Sequence, residues 1–337
     1  MAIHRTRDVT GTGTGTKDFT VSGIGTPVAA IFLMNSATAG LEYNPHQWIV
    51  GFTDGTNHRC GTFSSENNVS TLNTWTKLVN DVPLIHINAN TGAIDGVAAF
   101  SAFITDGVRL NITDAFPLSY RLTVILFVPE GSGYSVTVGD LTSSGSPTVT
   151  PGWRPDQIFC FGASEGLSTG FSAASGTADA GGGFSVGFLD HGVSDVQRCM
   201  GWTEDDAFNL ALGGNSCHVI LSNTEVFSSG ESAILATSST GFSASGSGYV
   251  GYLAISYQGN NQHGIGDTAS PTSTGDQAIT GLGFQPSFVM EVQSSMTAYG
   301  TVVDSRKYGW SLGVMVPSNE GVGATDDNAL SGRSEGI

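Results

Sequence analysis

The chain repeats itself at the scale of a domain, and this limits its folds more than any single motif does. Three stretches share one pattern. Asp18-Phe-Thr-Val-Ser-Gly-Ile-Gly-Thr-Pro27 leads into the apolar run Ala29-Ala-Ile-Phe-Leu-Met34. Thr148-Val-Thr-Pro-Gly-Trp-Arg-Pro155 leads into Gln157-Ile-Phe-Cys-Phe161, and Ala278-Ile-Thr-Gly-Leu-Gly-Phe-Gln-Pro286 into Phe288-Val-Met-Glu-Val292. The prolines stand 128 residues apart (27 to 155) and 131 apart (155 to 286). A second block keeps step: Trp48-Ile-Val-Gly51-Phe52, Phe184-Ser-Val-Gly187-Phe188 and Trp310-Ser-Leu-Gly313-Val314. Arg59-Cys60 with Phe63 then matches Arg198-Cys199 with Trp202, and an acidic turn follows in each copy, at Glu66, at Glu204-Asp205-Asp206 and at Asp326-Asp327. The later half of the pattern occurs twice. Asp106-Gly107-Val108 and Tyr120-Arg-Leu-Thr-Val-Ile-Leu-Phe127 correspond to Thr240-Gly241-Phe242 and Tyr249-Val-Gly-Tyr-Leu-Ala-Ile-Ser-Tyr257. A period near 130 residues is a domain length, not a solenoid rung.

Composition says what kind of domain this is. Only 12% of residues are charged and 39% are hydrophobic, which is the reverse of a disordered chain. Forty-seven glycines on a background of Ser, Thr, Val, Ile and Phe suit pleated strands joined by tight turns. Each unit reads as about eight short strands bounded by Gly, Pro, Asn, Asp and Ser. The expected fold is therefore all-β: tandem, jelly-roll-like β-sandwiches of about 130 residues. The expected divisions are a flexible basic arm over 1–17, sandwiches over 18–130 and 131–259, and a partial third repeat over 260–337, with linkers at 129–134 and 259–266. Residues 72–79 are the one stretch suited to a helical turn. The third unit lacks its later half, so its apolar inner face is expected to lie open unless a neighbouring chain supplies strands.

The formal net charge is −17, opposite in sign to the field a nucleic-acid binder needs. No apolar run approaches the roughly 20 residues of a membrane helix, and the N-terminus has no apolar core of a secretory signal. Neither nucleic acid nor membrane insertion is expected. The four cysteines, Cys60, Cys160, Cys199 and Cys217, form no C-x-x-C pair and are expected to be small buried hydrophobes.

The motifs that look chemical are weak. Gly162-Ala-Ser164-Glu-Gly166 matches a nucleophile elbow, but the sequence after it is loop or strand rather than helix. Gly11-Thr-Gly-Thr-Gly-Thr-Lys17 lacks the ending of a phosphate loop. The histidines have no metal-ligand spacing. The acidic turns suit turn chemistry, with Arg59 paired to Glu66 and Arg198 to its own turn, better than calcium. Trp48, Phe184 and Trp310 share one repeat position and are expected in the core. No catalytic residue, cofactor or metal is assigned. One group stands out: His4, Arg5, Arg7 and Lys17 make the first 17 residues basic within an acidic protein, as either a partner-docking arm or a solvated tail.

The repeated pattern resembles a family of phage-encoded structural proteins with tandem β-domains. Gly283-Phe284-Gln-Pro286, Ser185-Val-Gly187-Phe188, Asp106-Gly107, Gly241-Phe242 and Tyr249-Val-Gly-Tyr252-Leu253-Ala254 carry the resemblance; the first unit is looser, with Gly25-Thr-Pro27 and Val108. It covers nearly the whole chain beyond the arm. It implies a non-enzymatic virion protein assembled in the host cytoplasm, a tail-associated or fibre component. The alternatives are a capsid decoration protein and a module that reads host-surface glycans. Its implied partners are copies of itself and other virion proteins.

Overall fold

The computed structural model describes residues 1–35, 46–65, 74–141, 148–163, 170–180, 183–191, 195–204, 209–214, 218–221, 227–245, 249–257, 262–268, 278–294, 303–304, 309–316, 319–326 and 333–335. Among them every regular element is a strand. The first unit holds β1 (Ala2–Val9), β2 (Gly15–Thr20), β3 (Ala29–Asn35), β4 (His46–Thr53), β5 (His58–Ser65), β6 (Thr74–Val79), β7 (Leu84–Ile87), β8 (Ile94–Ile104), β9 (Gly107–Asp114) and β10 (Arg121–Val128). The second holds β11 (Ser135–Leu141), β12 (Thr148–Val149), β13 (Gln157–Ala163), β14 (Phe171–Ser172), β15 (Asp179–Ala180), β16 (Gly183–His191), β17 (Asp195–Glu204), β18 (Asn209–Gly214), β19 (His218–Leu221), β20 (Phe227–Ser238), β21 (Gly241–Ser245) and β22 (Tyr249–Ser256). The third holds β23 (Val289–Ser294), β24 (Val303–Asp304), β25 (Gly309–Val316), β26 (Asn319–Asp326) and β27 (Arg333–Glu335).

Each of the first two units is a sandwich of a large and a small sheet. The large sheets run β1-β10-β3-β4-β5-β6 and β11-β22-β13-β16-β17-β18; the small ones run β2-β9-β8-β7 and β12-β21-β20-β19. The third unit contributes β23-β25-β26-β27. Registers coincide as well as strand order. Phe32 pairs with Gly51 and with Val124, and Cys160 pairs with Gly187 and with Tyr252. Glu291 pairs with Gly313 in the same way. Gly51 then faces Cys60, and Gly187 faces Cys199. Pro27, Pro155 and Pro286 all stand just before the corresponding strand, where a missing N–H breaks no ladder.

The burial pattern explains the apolar runs. Ala29, Ile31 and Leu33 belong to one cluster, and Ala30, Phe32 and Met34 to another, so β3 is covered on both faces and does not alternate. The second cluster lies between the large and small sheets of the first unit. Its counterpart in the second unit gathers Leu141, Ile158, Cys160, Leu189, Phe242 and Tyr252. The first cluster lies between units. It joins Val50, Phe52 and Phe127 of the first unit to Phe161, Phe184 and Trp202 of the second and to Leu312 and Val314 of the third.

Close approach sets several glycines. A Cβ on Gly61 would sit 2.6 Å from Phe161 and 2.8 Å from Phe184, so its absence lets the second unit's rings approach β5 closely. A Cβ on Gly107 would fall 2.1 Å from the Phe19 carbonyl oxygen, and one on Gly241 would fall 1.9 Å from that of Val149. The recurrent glycine of the Asp106-Gly107 and Thr240-Gly241 turns is thus a matter of backbone contact.

Three expectations change. Residues 1–17 are not a free arm: β1 pairs along its full length with β10, as β11 pairs with β22, and β2 pairs with β9. Residues 74–79 are strand, not helical turn; cross-strand pairing with β5 decides it. The apolar face of β25 in the third unit is not open, since Leu312 is 0% and Val314 2% exposed within the shared core.

Candidate functional site

The units are joined by strands and ion pairs as well as by apolar contact. In the second unit the connection between β13 and β16 reaches back to the first: Ala180 pairs with Trp75 and Asp179 with Thr76, while β14 pairs in parallel with Leu78 and Val79. In the third unit Asp304 pairs with Leu210 and Val303 with Ala211, which are the matching positions on β18. Each exchanged strand covers the edge of the preceding sheet and satisfies its free N–H and C=O groups.

Arginines form the polar part of these joints. Arg59 Nε donates to Asp140 Oδ1 at 2.5 Å across the boundary between the first and second units. Both side chains are largely buried, and Arg59 Nη1 also donates to the carbonyls of His58 and Asn80. Arg198, at the same ladder position, donates to Asp267 at 2.8 Å in the segment that opens the third unit. Arg59 thus binds the next unit, on the face turned toward it; Glu66, its expected partner, lies outside the described residues. The acidic turn at 205 and 206 and Ser164 of the elbow motif lie outside the described residues. Nearby, Asp54 accepts the Val138 N–H and Asp81 the Ala174 N–H, so carboxylates of the first unit's turns hold the backbone of the second.

A second polar knot ties down residues 262–268. His263 Nδ1 lies 2.8 Å from Asp190 Oδ2, and each side chain is 6% exposed. Gln157 donates to Asp190, and Tyr257 O–H donates to Gln157. Asp156 accepts from Ser256 O–H and the Tyr257 N–H. The bond to Asp190 raises the His263 pKa against the opposing effect of burial. Burial pushes the Tyr257 phenol above its usual range, so it serves as a neutral donor. The first unit has a histidine–carboxylate pair of its own, His86 with Asp95 at 2.5 Å, stacked on Tyr120.

The four basic residues singled out in the sequence part company. On β1 the side chains alternate. His4 lies on the face turned toward the small sheet, opposite Leu126. Lys17 pairs with Asp8 at 2.9 Å. Arg5 and Arg7 lie on the other face, the one that carries Ile3, Ile125 and Phe127. Arg5 is 5% exposed. Arg121 joins them from β10, diagonal to Arg7 across the ladder, with Thr123 directly opposite Arg7. Burial lowers the pKa of Arg5 and Arg7, and for Arg7 the charges of Arg121 and Arg5 lower it further. Nε of Arg7, Nε of Arg121 and Oγ1 of Thr123 are buried without a hydrogen-bond partner. This cluster is the candidate binding site.

No protein-family model matches the chain, and no curated protein matches it. The site rests on its own geometry.

Sequence reasoning found Arg5 and Arg7 but missed Arg121. Its signal was only the alternation of Arg121-Leu122-Thr123, which becomes meaningful once β10 is known to lie beside β1. Cys60, Cys160 and Cys199 are buried thiols, and burial pushes that of Cys60 up to about 12, far from a reactive thiolate. Trp48 is 1% and Phe184 0% exposed, both in the shared core. Among the described residues no group of three or more His, Cys, Asp or Glu is placed to hold a metal ion, and no helix is long and apolar enough to cross a membrane.

Proposed function

We propose that the chain is a non-enzymatic structural component of a bacteriophage particle, tail-associated or part of a fibre. One observation carries the reading. Three β-rich units share a single apolar core and pass strands to one another, so that rigidity is the property most heavily provided for. Edge coverage of this kind blocks uncontrolled sheet growth while leaving loops free for neighbours. The repeated Gly-Phe, Asp-Gly and Tyr-x-x-Tyr motifs that resemble phage structural proteins support the same reading, and so does an acidic composition that keeps the surface from binding nucleic acid. The partners of the chain are other virion proteins or further copies of it.

The test is location. Particles of the phage that encodes the chain are purified by density gradient and digested with trypsin, and the chain's peptides are sought by mass spectrometry. A gold-labelled antibody then places the protein on the particle. Peptides at a fixed stoichiometry and gold at the tail are expected. Particles without the chain, or turnover of a cell-surface polysaccharide by the purified protein, would overturn the proposal.

A further inference from the structure

The two described joints between successive units carry an arginine–carboxylate pair, Arg59 with Asp140 and Arg198 with Asp267. The third unit also touches the first, with β25 against β1 and β27 against β4, so a third joint exists. Its ladder positions hold different residues. Phe52 faces Arg59 and Phe188 faces Arg198, whereas Val314 faces Gly321. The cation of the other joints is therefore missing from the third unit. The anion is missing too. Asp140 pairs with Gly251, which pairs with Phe161; the same row in the first unit reads Arg7, Thr123, Leu33. Arg7 thus stands where Asp140 stands in the second unit. Both partners are altered and the charge is reversed.

We infer that this third joint is a binding site for a compact oxyanion, a phosphate or the carboxylate of an acidic side chain, held by Arg7, Arg121 and Thr123 with Arg5 adding charge. The Nε donors of both arginines and the Thr123 hydroxyl are buried on one face of two paired strands and lack partners. Buried donors of this kind are costly unless satisfied, and an oxyanion accepts from a guanidinium fork with matching geometry. The neighbouring charges of Arg121 and Arg5 disfavour the Arg7 cation, and an anion between Arg7 and Arg121 offsets that repulsion. This inference goes beyond the proposed function and holds whether or not the chain belongs to a particle.

The experiment follows the melting temperature of the whole purified chain against inorganic phosphate, against an N-acetylated aspartate tetrapeptide, and against sodium chloride at equal ionic strength. Phosphate or the peptide is expected to raise the melting temperature where chloride does not, and the one that does so identifies the source of the oxyanion. Calorimetric titration is expected to give single-site binding weakened about tenfold or more in Arg7→Gln and in Arg121→Gln. Arg109→Gln removes an exposed arginine that already pairs with Asp18, and is expected to leave binding unchanged. Arg7→Lys keeps the charge without the fork and separates loss of the site from loss of folding. No response to either probe, or a response of equal size in Arg7→Gln, Arg121→Gln and the unaltered chain, would overturn the inference.

Discussion

At the scale of the residue, Phe161 does the most to join the units. It stacks on Phe184 with ring centroids 6.2 Å apart, meets Phe52 of the first unit at 5.1 Å, and lies against Gly61 and Gly251. Replacing it with alanine empties a site walled by two sheets, with little freedom to collapse. Phe161→Ala is expected to destabilise the protein by about 3–5 kcal/mol, read from the urea midpoint at unchanged slope. Gly61→Val meets the same rings from the other side and is expected to cost about 1–3 kcal/mol or more by overpacking. The polar residues make a pH prediction. The folded pKa of His263 is raised by Asp190, so its bond contributes fully below the unfolded value of about 6.5 and is lost as pH rises through the folded value. The melting temperature of the unaltered chain is therefore expected to gain an increment between pH 8 and pH 6 that His263→Gln lacks. An identical pH profile in the two proteins would remove His263 from the account.

At the scale of the element, turns and exchanged strands matter most. Asp106 is the only described non-glycine residue with positive φ, at 67°. Its carboxylate accepts N–H bonds from the Gly23–Gly25 turn, which hold its pKa below the usual range. Its backbone also bonds Val21 and Gly25, so one residue ties the β8–β9 hairpin to the connection before β3. Asp106→Ala loses the carboxylate's bonds to the Gly23–Gly25 turn and leaves alanine at a positive φ, and is expected to lower the midpoint of chemical denaturation. Much of this level was legible in the chain. Pro27, Pro155 and Pro286, the Trp48 and Gly51 positions and the Arg59-Cys60 pair all mark real places on corresponding strands. The 72–79 stretch was misread because Thr74–Val79 has no strong alternation of its own; its strand state comes from β5 on one side and the exchanged β14 and β15 on the other. The basic arm was misread for the same reason: charges at Arg5 and Arg7 hide a strand whose pairing partner lies more than a hundred residues away.

At the scale of the molecule, the units are not beads on a string. The first unit turns Ile31, Leu33, Val50, Phe52 and Phe127 into the core it shares with the second. Cut free, it would expose a contiguous apolar sheet face, the kind of patch that drives association. The first two units are expected to melt in one calorimetric transition. A fragment of residues 1–130 is expected to aggregate or to lose its near-ultraviolet dichroism; an independently melting monomeric fragment would contradict the shared core. The heterologous pattern of exchange, second unit onto first and third onto second, would extend indefinitely if it did not close. Contact between the third unit and the first closes it around one core.

The amino-acid order alone determined the strand-rich class, the period near 130 residues and the positions that must be apolar or glycine, because these follow from local propensity and from side chains recurring at fixed steps. What only the tertiary structure decided is which face meets which. The apolar run of Ala29–Met34 says that both faces of a strand are buried, but not that one of them is buried by a different unit. Arg5, Arg7, Arg121 and Thr123 become a site only when two strands far apart in the chain are laid side by side, since a ladder fixes neighbours through backbone hydrogen bonds that carry no trace in the order of the residues.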